Sequence, residues 1–213
     1  MTDIWSARAG LYAESDAHRE GDDLELLVDW AAGARTALDV ATGGGHVARR
    51  LREEGMEVIA CDPALGMNPD VVCRAEDLPF ADASFDVVAC RTAAHHFSDV
   101  RAAMHEFARV TRDRVLLVDT LNMGEAAEQA ERLRDPSHVR NYTEAEWREH
   151  VAAAGLEIAE LRVLGHTIDF DAWLARTGCD GETAETVRAL WGGRVADGRL
   201  TLDKIAIRAV KRG

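Results

Sequence analysis

The sequence has few basic residues and no long apolar run, and each shortage excludes a class of protein. Lysine and arginine together number 25 against 38 acidic residues, which gives a formal net charge of −13 at pH 7. Because binding to a phosphate backbone relies on clustered lysine and arginine, no nucleic-acid partner is expected. No apolar run approaches the roughly 18 residues of a membrane span, and residues 1–20 hold no apolar block with a basic flank. We therefore expect no membrane partner and a cytoplasmic protein.

Cysteine is also scarce. The chain has four cysteines, which are Cys61, Cys73, Cys90 and Cys179. They form no Cys-x-x-Cys pair, and the first three lie in or beside apolar runs typical of strands, which favours small buried side chains over a metal or redox role. Beyond the pair His95 and His96, no group of His, Asp or Glu has the spacing of metal ligands, so no metal is expected.

Short apolar runs alternate with amphipathic helical segments along much of the chain. This alternation predicts an α/β fold of the doubly wound type, with a mostly parallel sheet covered by helices on both faces and an antiparallel last strand. The seven predicted strands lie at residues 36–41, 56–61, 70–73, 85–90, 114–120, 156–164 and 204–210. The main predicted helices lie at residues 22–33, 46–55, 99–111 and 143–155.

One domain is predicted over residues 1–213, because the sequence has no Pro/Gly/Ser-rich linker, internal repeat or low-complexity tract. Residues 165–203 carry two helical patches, at 171–176 and 182–195. We predict that this segment is a helical insertion that covers part of a pocket.

Three consecutive glycines, Gly43 to Gly45, follow the first predicted strand and precede a helix. Ligands of open parallel sheets bind where strands end, and glycine lets a ligand approach the main chain closely. Asp62 lies 17 residues beyond Gly45, at the end of the second strand. A carboxylate there can accept hydrogen bonds from both hydroxyls of a ribose. The two features together predict an adenosine-containing cofactor.

Two cofactors fit this pattern. The run GGGHVA matches the fingerprint of nicotinamide dinucleotide sites, but the Tyr of a common single-domain reductase is followed four residues later by Lys, whereas Tyr142 is followed by Glu146. Two simpler interpretations stay open: the glycines serve only chain reversal, and Asp62 only caps a helix before Pro63.

Four segments in order resemble the class I S-adenosylmethionine (SAM) dependent methyltransferases, especially the branch that includes ubiquinone and menaquinone biosynthesis enzymes (methyltransferase type 11). They are LDVATGGGH, EVIACDP, RAEDLPFADASFDVVACRTAAHHF and RVLLVDT, and the likeness covers roughly residues 10–165. It implies a Rossmann-like methyltransferase fold and SAM as cofactor. The chain departs from the family pattern at Ala41, which stands at the first glycine position. Only about a dozen residues separate Asp62 from Arg74, so the helix after the second strand is expected to be shortened or lost.

The resemblance also implies contacts with the cofactor. The loop that starts at Ala41 approaches the methionine part, Asp62 the ribose, and Ala75 the adenine edge. The segment 1–21 resembles the family's cap over SAM, although a frayed terminus is an equal alternative. The full predicted set is Tyr12, His18, Asp39, Ala41, Thr42, Gly43, Gly45, Asp62, Pro63, Met67, Ala75, Glu76, Asp77 and Arg91.

His95 and His96 stand just past the fourth strand, where the bound methyl group is expected. The pKa of an unperturbed histidine, about 6.5, suits a group that accepts a proton from an acceptor. They are therefore the predicted catalytic pair, although HHF can also open the next helix, with one ring packed and the other bonded to the backbone. Arg91 is predicted to bind the SAM carboxylate or an anionic acceptor, with a surface ion pair as the alternative.

Acceptor contacts are predicted at His138, Arg140 and Tyr142, with a plain helix-entry turn as the alternative. The predicted function is methyl transfer from SAM to oxygen or carbon of a small molecule of phenolic, quinone-like or natural-product type. An NAD(P)-dependent oxidoreductase and a catalytically silent SAM-binding protein are the alternatives. The expected assembly is a monomer or homodimer.

Overall fold

The computed structural model describes residues 5–6, 10 and 19–212. Its helices are α1 (Asp22–Ala31), α2 (His46–Glu53), α3 (Val100–Val110), α4 (Glu125–Arg134), α5 (Glu144–Ala153), α6 (Phe170–Ala175) and α7 (Gly181–Trp191). Its strands are β1 (Thr36–Val40), β2 (Glu57–Asp62), β3 (Val71–Val72), β4 (Phe85–Arg91), β5 (Thr111–Thr120), β6 (Leu156–Asp169), β7 (Val195–Ala196) and β8 (Arg199–Lys211). The predicted site residues Tyr12 and His18 lie outside the described residues.

The strands form one sheet in the order β3-β2-β1-β4-β5-β8-β6, and the two-residue β7 pairs with β8. Neighbours from β3 to β5 are parallel, whereas β8 runs antiparallel to both β5 and β6. The doubly wound, mostly parallel sheet with an antiparallel last strand is thereby confirmed. Strand order reverses between β1 and β4, so a crevice opens at the carboxyl ends of these strands.

Two buried apolar layers cover the faces of this sheet. One layer includes Met104 and Phe107 of α3 and Trp147 of α5, and the other includes Leu24 and Leu27 of α1. A third apolar cluster lies away from them and joins α4, α6 and α7 to the far halves of β6 and β8. Of the cysteines, Cys61 and Cys90 are buried, and all four are free thiols.

The strands β6 and β8 run further than their apolar pattern predicts. They stay paired through Gly165↔Asp203 to Asp169↔Arg199, so both ends of the predicted helical insertion at 165–203 are strand. Its helices are confined to α6 and α7. The extension was missed because its residues are polar or exposed on much of both faces, whereas backbone pairing does not depend on side-chain polarity.

The connection after β2 is short, as the sequence predicts. A single 3-10 turn, Leu65–Met67, stands in place of a helix. Among the described residues, no helix combines the length and the apolar character that crossing a membrane requires.

A buried ion cluster ties α1 to the sheet. Asp23 Oδ1 and Oδ2 each accept from Arg91 at 2.9 Å, and Oδ2 also accepts from Lys204 Nζ at 2.9 Å. Burial alone would raise the pKa of Asp23, but Lys204 and Arg91 hold it well below its usual range. The cluster lies directly beside the crevice, at the ends of β4 and β8.

Candidate active site

The glycine turn is built for close approach. The chain has positive φ at Ala41 (55°), Gly43 (50°) and Gly45 (75°), and Gly45 immediately precedes α2. A Cβ atom added at Gly43 would meet no described protein atom within 4 Å, so the space beside it is open. Ala41 takes this conformation with a side chain, which costs roughly 1–2 kcal/mol and places strain where the sequence departs from the family pattern.

Asp62 joins the end of β2 to this turn. Its Oδ2 accepts from the Gly43 N–H at 3.0 Å, and its Oδ1 accepts from the Ala64 N–H at 2.9 Å. The Thr42 N–H donates to the Cys61 carbonyl at 3.0 Å. Asp62 therefore caps the following turn and also holds the glycine turn in place.

Asp39 lies beneath the turn and is buried. Its Oδ2 accepts from Thr42 Oγ1 at 2.5 Å and from the Ala48 N–H at 3.0 Å. Burial raises the pKa of Asp39 to about 7, although these two hydrogen bonds oppose the shift. The carboxyl group thus changes its charge near neutral pH.

Asp39→Asn is expected to change how stability depends on pH. The folded-state pKa is raised, so wild-type Asp39 stabilises the fold most below pH 4, and this contribution is lost as pH rises through about 7. Asparagine cannot ionise. Between pH 5 and pH 8, the free energy of unfolding of the wild type should therefore fall by about 2–3 kcal/mol relative to the variant. Urea denaturation at both pH values measures this difference, and equal differences at the two pH values would contradict it.

A cavity of about 310 Å³ opens at the ends of β1, β2 and β4. It brings together the predicted residues Ala41, Thr42, Gly43, Asp62, Pro63, Met67, Ala75, Glu76, Arg91 and His96. Gly45 lies on the other side of the turn, in a neighbouring cavity. Of the two acidic candidates for the adenine edge, Glu76 lines the cavity, whereas Asp77 is exposed outside it. Glu76 is held by Ser98, whose N–H donates to Oε1 at 2.9 Å.

Nine of the described lining residues lie outside the predicted set, and Trp5, Thr92 and Phe97 are three of them. Trp5 packs edge-on against His96, with ring centroids 4.6 Å apart. Thr92 follows β4 at a φ of 56°, and Phe97 follows the histidine pair. The position of Thr92 and Phe97 inside the RTAAHHF segment was a usable signal for them, and Trp5 lies within the segment 1–21 that resembles the family's cap.

His95 and His96 have different environments, although they are adjacent and their ring centroids are 4.1 Å apart. His95 Nδ1 donates to Asp119 Oδ1 at 2.6 Å, and its backbone N–H donates to Asp119 Oδ2 at 2.9 Å. Burial lowers the pKa of His95, but Asp119 outweighs burial and raises it overall. His96 Nδ1 donates to the Ser137 carbonyl at 3.1 Å. Burial, followed by the charge of His95, lowers the pKa of His96 to about 3.

A second cavity, of about 60 Å³, adjoins the cavity of about 310 Å³; of these two, we call the first the smaller cavity and the other the larger cavity. The two cavities share Thr92 and His96, whereas His95 lines only the second. The smaller cavity therefore extends from the larger one past His95 and His96.

The three predicted acceptor residues line neither cavity. His138 is buried behind the pair, with Nε2 3.3 Å from Glu128 Oε2 and its ring centroid 5.6 Å from that of His95. Arg140 is exposed and pairs with Glu146, and Tyr142 packs edge-on against Trp147. Among the described residues, no group of three or more His, Cys, Asp or Glu could hold a metal ion.

Comparison with known proteins identifies the family. The family model of a methyltransferase domain matches residues 38–118. The uncharacterized methyltransferase YcgJ of Bacillus subtilis is 33% identical, in an alignment that covers 86% of this chain and 82% of that protein. The chain belongs to the SAM-dependent methyltransferases.

Two further matches agree with this identification. The crystal structure of YcgJ superposes with a TM-score of 0.79 at 29% identity, covering 90% of this chain and 98% of that one. A demethylmenaquinone methyltransferase of Beutenbergia cavernae is 38% identical over 38% of this chain and 40% of that protein. The methyltransferase is thus related to the branch named by its sequence motifs, and this relation decides against the NAD(P)-dependent alternative.

The residues around the larger cavity fit SAM. The open space beside Gly43 leaves room for a ligand against the main chain, and Asp62 offers carboxylate oxygens at the end of β2. The methyltransferase thus has a bare peptide surface and a carboxylate on the same cavity, which are two features that suit an adenosyl cofactor.

Proposed function

We propose that the methyltransferase transfers the methyl group of SAM to an oxygen or carbon atom of a small-molecule acceptor. The observation that carries this proposal is the His95–Asp119 pair on a cavity that continues from the cofactor cavity. When bound, SAM supplies a methyl group activated by a positively charged sulfur, which leaves as a neutral thioether. The protein therefore has to orient the reactants and exclude water, and little covalent help is needed.

The cofactor would be held by residues on both sides of the larger cavity. The turn from Ala41 to Gly45 would face the methionine part and Asp62 the ribose, with Ala75 and Glu76 at the adenine edge. Arg91 lines the same cavity while it binds Asp23, and its positive charge would lie near the methionine carboxylate.

His95 is the proposed base. An ionised carboxylate only accepts hydrogen bonds, so Asp119 fixes the proton on Nδ1 and leaves Nε2 as the basic nitrogen. No hydrogen bond to Nε2 occurs among the residues described. Asp119 also stabilises the imidazolium that forms when Nε2 takes the acceptor's proton, as carboxylates do in other histidine-dependent sites. A base of this kind contributes roughly 10²- to 10⁴-fold in rate.

His96 has a different proposed role. Its pKa of about 3 keeps the ring uncharged at neutral pH, so it adds no positive charge beside a cationic cofactor. Its Nδ1–H bond to Ser137 leaves Nε2 as a hydrogen-bond acceptor at the boundary of the two cavities. We infer that His96 orients the acceptor.

The test is an assay of S-adenosylhomocysteine release and product mass with SAM and a panel of phenols, hydroquinones and hydroxy acids. The expected result is one equivalent of S-adenosylhomocysteine per acceptor converted, with the product heavier by one methylene unit. Tight SAM binding with no turnover on any acceptor would instead support the catalytically silent protein.

A further inference from the structure

The smaller cavity is polar, and it is formed by residues far apart in the sequence. Its walls come from α4, α6, the strands β6 and β8, the end of β5 and the segment after β4. They include His95, Glu131, Arg134, Trp173 and Lys204. Its volume of about 60 Å³ holds on the order of five water-sized groups. It can therefore take a compact polar group and excludes a long apolar tail.

Arg134 is buried beside the smaller cavity, and its hydrogen bonds and ion pairs are long. Its side chain is 8% exposed and lies over the Trp173 ring, 4.0 Å from the ring centroid. Its Nη1 donates to the Trp173 carbonyl at the long distance of 3.4 Å, and its Nε is buried with no hydrogen-bond partner among the described residues. The carboxylates of Glu131 and Asp135 approach only to 3.5 Å and 3.7 Å. Because buried charged donors are costly when unsatisfied, this guanidinium has capacity for a further acceptor.

The charges around the cavity favour an anion. Lys204 is already bound to Asp23 and Thr92, and Asp119 is bound to His95. Burial lowers the pKa of His166, another lining residue, to about 4, so this ring is uncharged at neutral pH. Among the described residues that line the cavity, Arg134, Arg176 and Lys204 are cationic and Glu131 is a carboxylate. The carboxylates of Asp135 and Asp23, which pair with Arg134 and Lys204, do not line it.

We propose that Arg134 binds a carboxylate of the methyl acceptor. This inference rests on the proposed function, since it names the acceptor class of the same site. A guanidinium presents its N–H groups in a planar fork that matches the two oxygens of a carboxylate, and the Trp173 ring fixes the plane of that fork. The acceptor is then a small carboxylic acid whose nucleophilic atom lies at the His95 end of the cavity. A quinone with a long apolar chain does not fit this description.

The test is calorimetric titration of the protein loaded with S-adenosylhomocysteine. The probes are lactate and salicylate, each compared with its uncharged amide, and inorganic phosphate. At least one carboxylate should bind, with its amide at least tenfold weaker. Arg134→Gln should weaken that carboxylate about 10- to 100-fold, because charge-assisted hydrogen bonds contribute roughly 1.5–3 kcal/mol each. The dissociation constant of S-adenosylhomocysteine should stay unchanged.

Two variants control the result. Arg132→Gln removes an exposed arginine of the same helix, which pairs with Glu125, and should leave carboxylate binding unchanged. Arg134→Lys keeps the positive charge but lacks the planar fork, so it should lose part of the affinity for the carboxylate. This variant also provides the test if Arg134→Gln does not fold.

The outcomes separate this inference from the proposed function. Carboxylates that bind no more tightly than their amides, or phosphate that binds more tightly than both carboxylates, would overturn the carboxylate assignment. Methyl transfer to uncharged acceptors with an unchanged KM in Arg134→Gln would overturn it while the proposed function stands. Carboxylate binding that needs Arg134, together with no methyl transfer to any acceptor, would leave this inference standing and refute the function.

Discussion

His95→Ala is expected to lower kcat by 10²- to 10⁴-fold on any acceptor that must lose a proton, because the variant lacks the base. His95 does not line the cofactor cavity, so the dissociation constant of S-adenosylhomocysteine should change little. Turnover is measured as S-adenosylhomocysteine release with the acceptor identified in the panel. His105→Ala is the matched control, since His105 is an exposed histidine on α3.

The pH dependence supplies a second readout. A base works only when unprotonated, so the wild-type rate should rise as pH increases through the pKa of His95, which lies above its usual value. Asp119→Asn removes the charge that raises this pKa. In the pH–rate profile of Asp119→Asn, the maximal rate at high pH should therefore be lower than that of the wild type. The rise in rate should also occur at lower pH. A pH profile that is identical in the two proteins would exclude His95 as the base.

Asp62→Asn is expected to weaken the binding of S-adenosylhomocysteine by about 10²- to 10⁴-fold. Two hydrogen bonds from ribose hydroxyls to a carboxylate contribute roughly 1.5–3 kcal/mol each, which corresponds to this range when both are lost. An asparagine amide group also cannot accept from the N–H groups of Gly43 and Ala64 at the same time, so the glycine turn loses part of its support. Calorimetric titration measures the change directly.

Asp70→Asn is the control for this prediction. Asp70 also accepts from a backbone N–H, that of Ala60 at 2.8 Å, and it pairs with Arg52 at 2.6 Å, but it does not line the larger cavity. Binding in Asp70→Asn should equal that of the wild type. If Asp62→Asn bound S-adenosylhomocysteine within threefold of the wild type, the ribose assignment would be wrong.

Much of the lining of the larger cavity could be predicted from the sequence because its parts are local. The turn at Gly43 joins consecutive elements, and Asp62 ends the next strand in a parallel pair with β1. Parallel strands bring their carboxyl ends to one edge of the sheet, so residues that directly follow neighbouring strands lie close together in space. The same rule placed His96 at that edge, directly after β4.

The smaller cavity could not be predicted because its contacts join distant segments. Arg134 contacts Trp173, which lies 39 residues further along the chain, and Arg91 binds Asp23 across 68 residues. Hydrophobic patterning shows which residues are buried, but it does not show which residue pairs with a buried charged side chain. The motif at residues 138–142 therefore predicted three side chains that line neither cavity in the structure. Part of the wall of the smaller cavity comes instead from strand extensions whose polar pattern resembles a loop.

The long β6–β8 ribbon gathers much of the wall of the smaller cavity into one stretch of chain. Its outer half, together with α6 and α7, forms residues 165–203, which contribute five described residues to the smaller cavity and none to the larger one. Under the proposed function, a chimaera that exchanges this stretch with that of a relative would present a new wall to the acceptor, while the turn at Gly43, the carboxylate of Asp62 and the guanidinium of Arg134 remain in place.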